Sequence, residues 1–198
     1  LQFVFIFYSI MMQYAQVLKK YLIQDHRFLD AFVILLSSMI AKARTLEDRI
    51  PGCQFLAVIT GKENTYFERC FEKLCFDKSK KERDAVPNAD CTDGFIDLML
   101  DVSRCGSLGE ILSVLVVCEW SYLSWGQRVS MNNNVCRKDF VTYEWVDLHS
   151  GDYFEGVVEY LRCLLDREGE LMGVEDRDRC EARFLKAVDL EEKFFDHA

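Results

Sequence analysis

Val116-Val117-Cys118-Glu119-Trp120-Ser121-Tyr122-Leu123-Ser124-Trp125-Gly126 decides how this chain folds and where its chemistry sits. It lies inside an apolar stretch from Leu108 to about Val129 that has no proline and no two-residue alternation, which predicts a long core helix with Ser107 as its cap. A core helix has little reason to carry a thiol, a carboxylate and a phenol together. At 3.6 residues per turn, Cys118 and Tyr122 lie about 40° apart, and Glu119 lies about 60° from Tyr122 on the other side, so all three can border one pocket. A buried carboxylate without a partner costs on the order of several kcal/mol. Glu119 should therefore meet a partner, a ligand or a proton.

Outward from that helix the pattern stays helical. Apolar positions at helical spacing run from Gln13 to Ala43, and further helices are predicted over Cys53–Cys75 (bent near Gly61), Asp90–Arg104, Lys138–Leu148, Asp152–Arg167 (Asp152 as cap) and Val174–Phe195. Thr45 opens a short turn, Pro51-Gly52 reads as punctuation, 77–85 as a solvated charge run, and 131–134 as a loop. The expected class is all-α in a single domain over 13–198. The segment 1–12, LQFVFIFYSIMM, is an atypical apolar run. It is shorter than the roughly 20 residues a membrane span needs, so a buried helix segment or a truncated N-terminus is expected, with no membrane partner.

A net charge of -9 and the lack of Lys/Arg clusters argue against nucleic acid and favour a cationic small ligand. Nine scattered cysteines form no CxxC pair and do not read as a disulfide framework, so a reducing, cytoplasmic setting is the expectation. The three histidines are far apart in sequence, and neither a zinc site, nor haem, nor a di-iron centre has the ligand spacing it needs. No metal and no cofactor are expected.

Two further places carry misplaced polarity. Asp25 and Phe28 share a helical face, with Tyr21 one turn before Asp25; a structural ion pair with an Arg is the equal alternative for Asp25. Glu191 falls on the aromatic stripe of Phe184, Ala187, Val188, Phe194 and Phe195, whereas Glu192 turns towards water. There Glu191 is either an acid/base group or a rim residue. His149 follows Trp145 by one turn and is a weaker pocket candidate. In the segment Glu63-Asn64-Thr65-Tyr66-Phe67-Glu68, one of the two Glu residues is expected simply to face water.

Four segments together resemble the TenA or thiaminase-II family: Tyr21-Leu22-x-Gln24-Asp25, Cys118-Glu119-Trp120-Ser121-Tyr122, Tyr143-x-Trp145-x-x-x-His149 with Gly151 and Phe154, and Phe184-x-x-Ala187-x-x-x-Glu191-x-x-Phe194-Phe195. The resemblance implies a haem-oxygenase-like helical bundle, here without its usual first helix, that hydrolyses thiamin-derived aminopyrimidines, aminomethyl or formylaminomethyl, in vitamin salvage. It implies Asp25, Phe28, Tyr122 and His149 as substrate-binding residues, Glu119 and Glu191 as acid/base groups, Cys118 as an optional nucleophile, and a homo-oligomer.

The family has thiol-based and carboxylate-based members. This chain carries both Cys118 and Glu119, and its flanking residues resemble the Glu-type subgroup, which argues against thiaminase activity in the strict sense. Thr92 with Phe95, and His149, stand where the thiol-based members place pocket tyrosines. A non-catalytic ligand-binding protein on the same fold is the alternative.

Overall fold

The computed structural model describes residues 2–74, 80–131 and 137–197, with side chains described over 17–74, 83–131 and 137–196. Helix α1 (Gln2–Lys42) leads to α2 (Leu46–Val58), a π-helical turn (Ile59–Glu63), α3 (Asn64–Lys73) and the short α4 (Lys80–Ala85). Then come α5 (Asp90–Cys105), α6 (Leu108–Ser130), α7 (Phe140–Leu148), α8 (Asp152–Leu171) and α9 (Val174–His197). Among the described residues there is no strand, as the absence of alternating patterns predicts.

Helix α6 is the axis of the bundle. It is buried without interruption from Leu108 to Glu119, and α8 and α9 pack along it while α1 packs on α5 and α2. A helix apolar on every side has no face to give to water, and surrounding it with other helices is how a globular chain satisfies it. Its length and composition would suit a bilayer, but most of it is covered by the protein itself. The predicted cap holds: Ser107 Oγ accepts from the Glu110 N–H at 3.2 Å, and Glu110 Oε2 accepts from the Ser107 N–H at 3.0 Å.

Several expectations are corrected. Pro51-Gly52 does not break the chain: α2 starts at the Thr45 cap and runs through Pro51, at the cost of the bond a residue with an N–H would give the Glu47 carbonyl one turn back. Gly52 is there because Ile40 Cγ1 and the Tyr160 hydroxyl would lie 2.8 and 3.2 Å from a Cβ, so α1 and α8 close on bare backbone. The charge run is partly helical, and Arg83 is not simply solvated: its guanidinium lies over the Phe71 ring at 4.4 Å. Helix α8 continues past Arg167 to Leu171 and is capped by Gly151 rather than Asp152, the chain entering with φ of 86°, where glycine costs least. On α9 the inner stripe takes Leu190 in place of Val188, which is exposed.

The predicted loop at 131–134 lies, Met131 excepted, outside the described residues. The same holds for the side chains of 1–12, whose backbone from Gln2 onward is part of α1.

Candidate functional site

A narrow cavity of about 20 Å³ opens between α1, the π-helical turn, α6 and the end of α7. It is lined by Asp25, Phe28, Glu63, Cys118, Glu119, Tyr122 and His149, over a floor of Leu29, Phe32 and Ile59. Six of the seven residues expected to form the site thus meet at one place. Glu191 does not line it. It is buried on α9 behind Cys118 and Ser121, with Oε1 lacking a hydrogen-bond partner, while its neighbour Glu192 is exposed as the helical spacing requires.

Asp25 is not in an ion pair with arginine. The Tyr122 hydroxyl donates to its Oδ1 at 2.8 Å, and the Tyr21 hydroxyl stands behind, donating to the Tyr122 oxygen at 3.3 Å. Trp145 is near enough to favour the ionised carboxyl, although its Nε1–H forms no hydrogen bond of normal geometry. Burial outweighs these donors and raises the Asp25 pKa to about 6.

Burial, reinforced by Asp25, raises Glu63 to about 8. The same cause places Glu119 well above the usual carboxylate range, with Glu63, Glu191 and Asp25 adding repulsion; Glu191 is raised by burial and by Asp25. None of these four acids forms an ion pair among the described residues, and no Lys or Arg lines the cavity. The consequence near pH 7 is a division of labour: Asp25 is largely ionised and Glu63 largely protonated, while burial shifts Glu119 and Glu191 in the same direction as Glu63.

Cys118 lies in the wall, but burial and the flanking Glu191 and Glu119 push its thiol well up, which works against a thiolate. His149 is pushed down to about 4 by burial, so it is neutral; its Nδ1 lies 2.8 Å from the Trp145 carbonyl and its ring 5.0 Å from that of Tyr122. With Nδ1–H donating to that carbonyl, Nε2 is left as an acceptor. Gly126 makes this possible, because a Cβ there would come within 2.3 Å of the His149 carbonyl oxygen. Trp125 and Trp145 stack at 3.7 Å beside Tyr122 and complete an aromatic wall with Phe195.

Thr92 does not reach the cavity. It donates to Gln24 Oε1 at 2.8 Å, which also accepts from the Ala89 N–H, so the position is a clamp between α1 and α5. Glu63 is the residue that sequence reasoning passed over. Its spacing to Tyr66, Phe67 and Cys70, all buried, was the available signal that it, rather than exposed Glu68, faces inward.

A wholly helical bundle around a carboxylate-lined, cation-free pocket defines the class of the protein. The sequence pattern of the TENA/THI-4/PQQC family matches residues 14–198, and the chain belongs to that family. An aminopyrimidine aminohydrolase from Halalkalibacterium halodurans is 30% identical over 121 residues, covering 61% of this chain and 53% of the relative. The chain thus spans about half the length of that curated relative.

Among solved structures, a TenA homologue from Pyrococcus furiosus superposes with a TM-score of 0.76 at 20% identity, covering 89% of this chain and 81% of that one. A TenA family transcription regulator from Silicibacter sp. TM1040 gives 0.76 at 19%, covering 93% and 81%. The fold is therefore that of the TenA homologues, the haem-oxygenase-like helical bundle.

Proposed function

We propose that this chain hydrolyses a thiamin-derived aminopyrimidine, replacing an aminomethyl nitrogen by a water oxygen. The observation that carries the reading is Asp25, fixed by Tyr122 at 2.8 Å, sharing one cation-free cavity with Glu63 and Glu119. The matching relative, an aminopyrimidine aminohydrolase, supports the same class of substrate.

In this reading Asp25 accepts N–H donors from the ring edge and its amine, Phe28 and Tyr122 flank the heterocycle, and neutral His149 offers Nε2 as a further acceptor. A protonated Glu119 gives its proton to the leaving nitrogen as the C–N bond breaks, water forms the new C–O bond, and the water proton returns to the carboxylate. One water is consumed and one ammonia released. Glu191 acts a layer back, as a proton store behind Cys118 and Ser121. An active thiolate is not needed, so Glu119 and not Cys118 is the reacting group. The cavity is smaller than a pyrimidine ring, and half-buried Phe28 is the wall that yields on entry.

The test is ammonia release from 4-amino-5-aminomethyl-2-methylpyrimidine by the full chain. Turnover that is lost in Asp25→Asn and kept in Cys118→Ser supports the reading. Binding without ammonia release would favour a non-catalytic ligand-binding role, and neither binding nor release would remove the proposal.

A further inference from the structure

The π-helical turn between α2 and α3 ends on Glu63. Such turns insert an extra residue per turn and concentrate at functional sites, since they re-aim side chains at some cost in helix geometry. Here the turn leaves Glu63 at the head of α3, a place where a carboxylate ordinarily caps the following helix. Glu63 makes no such capping bond. Among the described residues its side chain has no hydrogen bond or ion pair, and it lines the cavity opposite α6. Its neighbours are treated differently: Glu68 lies 3.7 Å from Arg83, and Glu144 takes both forks of Arg69. Of the cavity acids, Asp25 already spends Oδ1 on Tyr122, whereas Glu63 has both oxygens uncommitted.

A primary ammonium brings three N–H donors into a dry site and needs an acceptor for each. Asp25 is tied to the phenol and Glu119 keeps its proton for the leaving nitrogen, so Glu63, drawn to its ionised form by the positive charge beside it, is the acceptor that holds the ammonium until one proton passes to it and the free amine reacts. We infer that Glu63 is the specificity-determining residue that holds the aminomethyl nitrogen, selecting a free primary amine over its N-formyl or hydroxyl counterpart. The inference rests on the hydrolase reading and narrows its substrate.

A formamide in the same place carries no charge, so it neither draws Glu63 into its ionised form nor gains the attraction of a carboxylate. The fixed donors at the site are already used, Tyr122 on Asp25 and the His149 Nδ1–H on the Trp145 carbonyl, so only the acids' own protons are left to meet its carbonyl oxygen. The hydroxymethyl product carries no positive charge and loses the attraction of Glu63, which also favours product release.

The experiment compares the affinities of the full chain for 4-amino-5-aminomethyl-2-methylpyrimidine, its N-formyl derivative and 4-amino-5-hydroxymethyl-2-methylpyrimidine by calorimetry. The wild type should prefer the free amine, and Glu63→Gln should lower that preference by about 10- to 100-fold, the worth of a charge-assisted hydrogen bond, while affinity for the hydroxymethyl compound stays near wild type. A purely structural role would weaken all three ligands together. Should Glu63→Gln fail to fold, Glu63→Asp, which withdraws the charge by one methylene, should show the same loss in weaker form.

An unchanged ratio in the folded variant overturns the inference and leaves the hydrolase reading standing. If the wild type binds none of the three, both fall. If it prefers the N-formyl compound, this inference alone falls.

Discussion

Buried acids occur in two regions of this molecule, and they are treated in opposite ways. Where α2, α6, α8 and α9 meet their neighbours, Asp48 receives both forks of Arg167 at 3.0 and 2.8 Å, Glu168 receives Arg44 at 2.7 Å on each oxygen, and Glu110 faces Arg183. Arg167 holds Asp48 below the usual carboxylate range. The Ser107 bonds and Arg183 do so for Glu110 despite its burial. Around the cavity, Asp25, Glu119 and Glu191 are buried and Glu63 is half-buried, none of them with an arginine, and each is raised. The first set ties helices together. The second keeps protons available and spends stability to do so, which a fold tolerates where activity needs it.

The contrast is broken most sharply at Glu119. Glu119→Gln should lower turnover by about 100- to 10,000-fold, the usual contribution of a positioned acid, in a steady-state ammonia assay. Asp48→Ala should do the reverse, leaving turnover intact while costing on the order of 1–3 kcal/mol in urea denaturation, because the hydrogen-bonded partner of Arg167 is lost while the backbone cap on Thr45 remains.

The two regions should also oppose each other in pH. Asp25 and Glu63 bind protons more tightly folded than unfolded, so their contribution is complete below about pH 4 and is lost as pH rises through about 6 and 8. For Asp25 that is about 3 kcal/mol. Asp48 and Glu110 contribute above the unfolded carboxylate range and lose their share as pH falls. Unfolding free energies measured across pH 3–9 should therefore show Glu63→Gln removing the part of the loss centred near pH 8 and Asp48→Asn removing part of the acid loss. The smallest effect is expected at Cys118. Cys118→Ala should shift stability by about 1 kcal/mol and turnover little, since burial and the flanking acids work against a thiolate there.

The sequence revealed the architecture where the pattern was one-sided. α6 was legible because no face of it suits water, and Ser107 with Glu110 spells its start. The Glu191/Glu192 pair separated by helical angle alone. What stayed hidden depended on contacts between distant segments. Thr92 looked like a pocket position until Gln24 claimed its hydroxyl, and Pro51 looked like a stop until Thr45 and the close packing at Gly52 carried the helix through it. Glu63 could be told from Glu68 only by its spacing to Tyr66, Phe67 and Cys70 further along, because the residues before it pass through the π-helical turn and break the period on that side.

The most direct test follows turnover and stability together in one variant. For Glu119→Gln at pH 8, the account predicts loss of ammonia release together with a melting temperature equal to or above that of the wild type, because the change removes an unpaired buried acid without altering shape; each kcal/mol gained is worth about 2–4 °C in a domain of this size. A variant that keeps full activity, or that loses activity only because it melts several degrees lower, would contradict it.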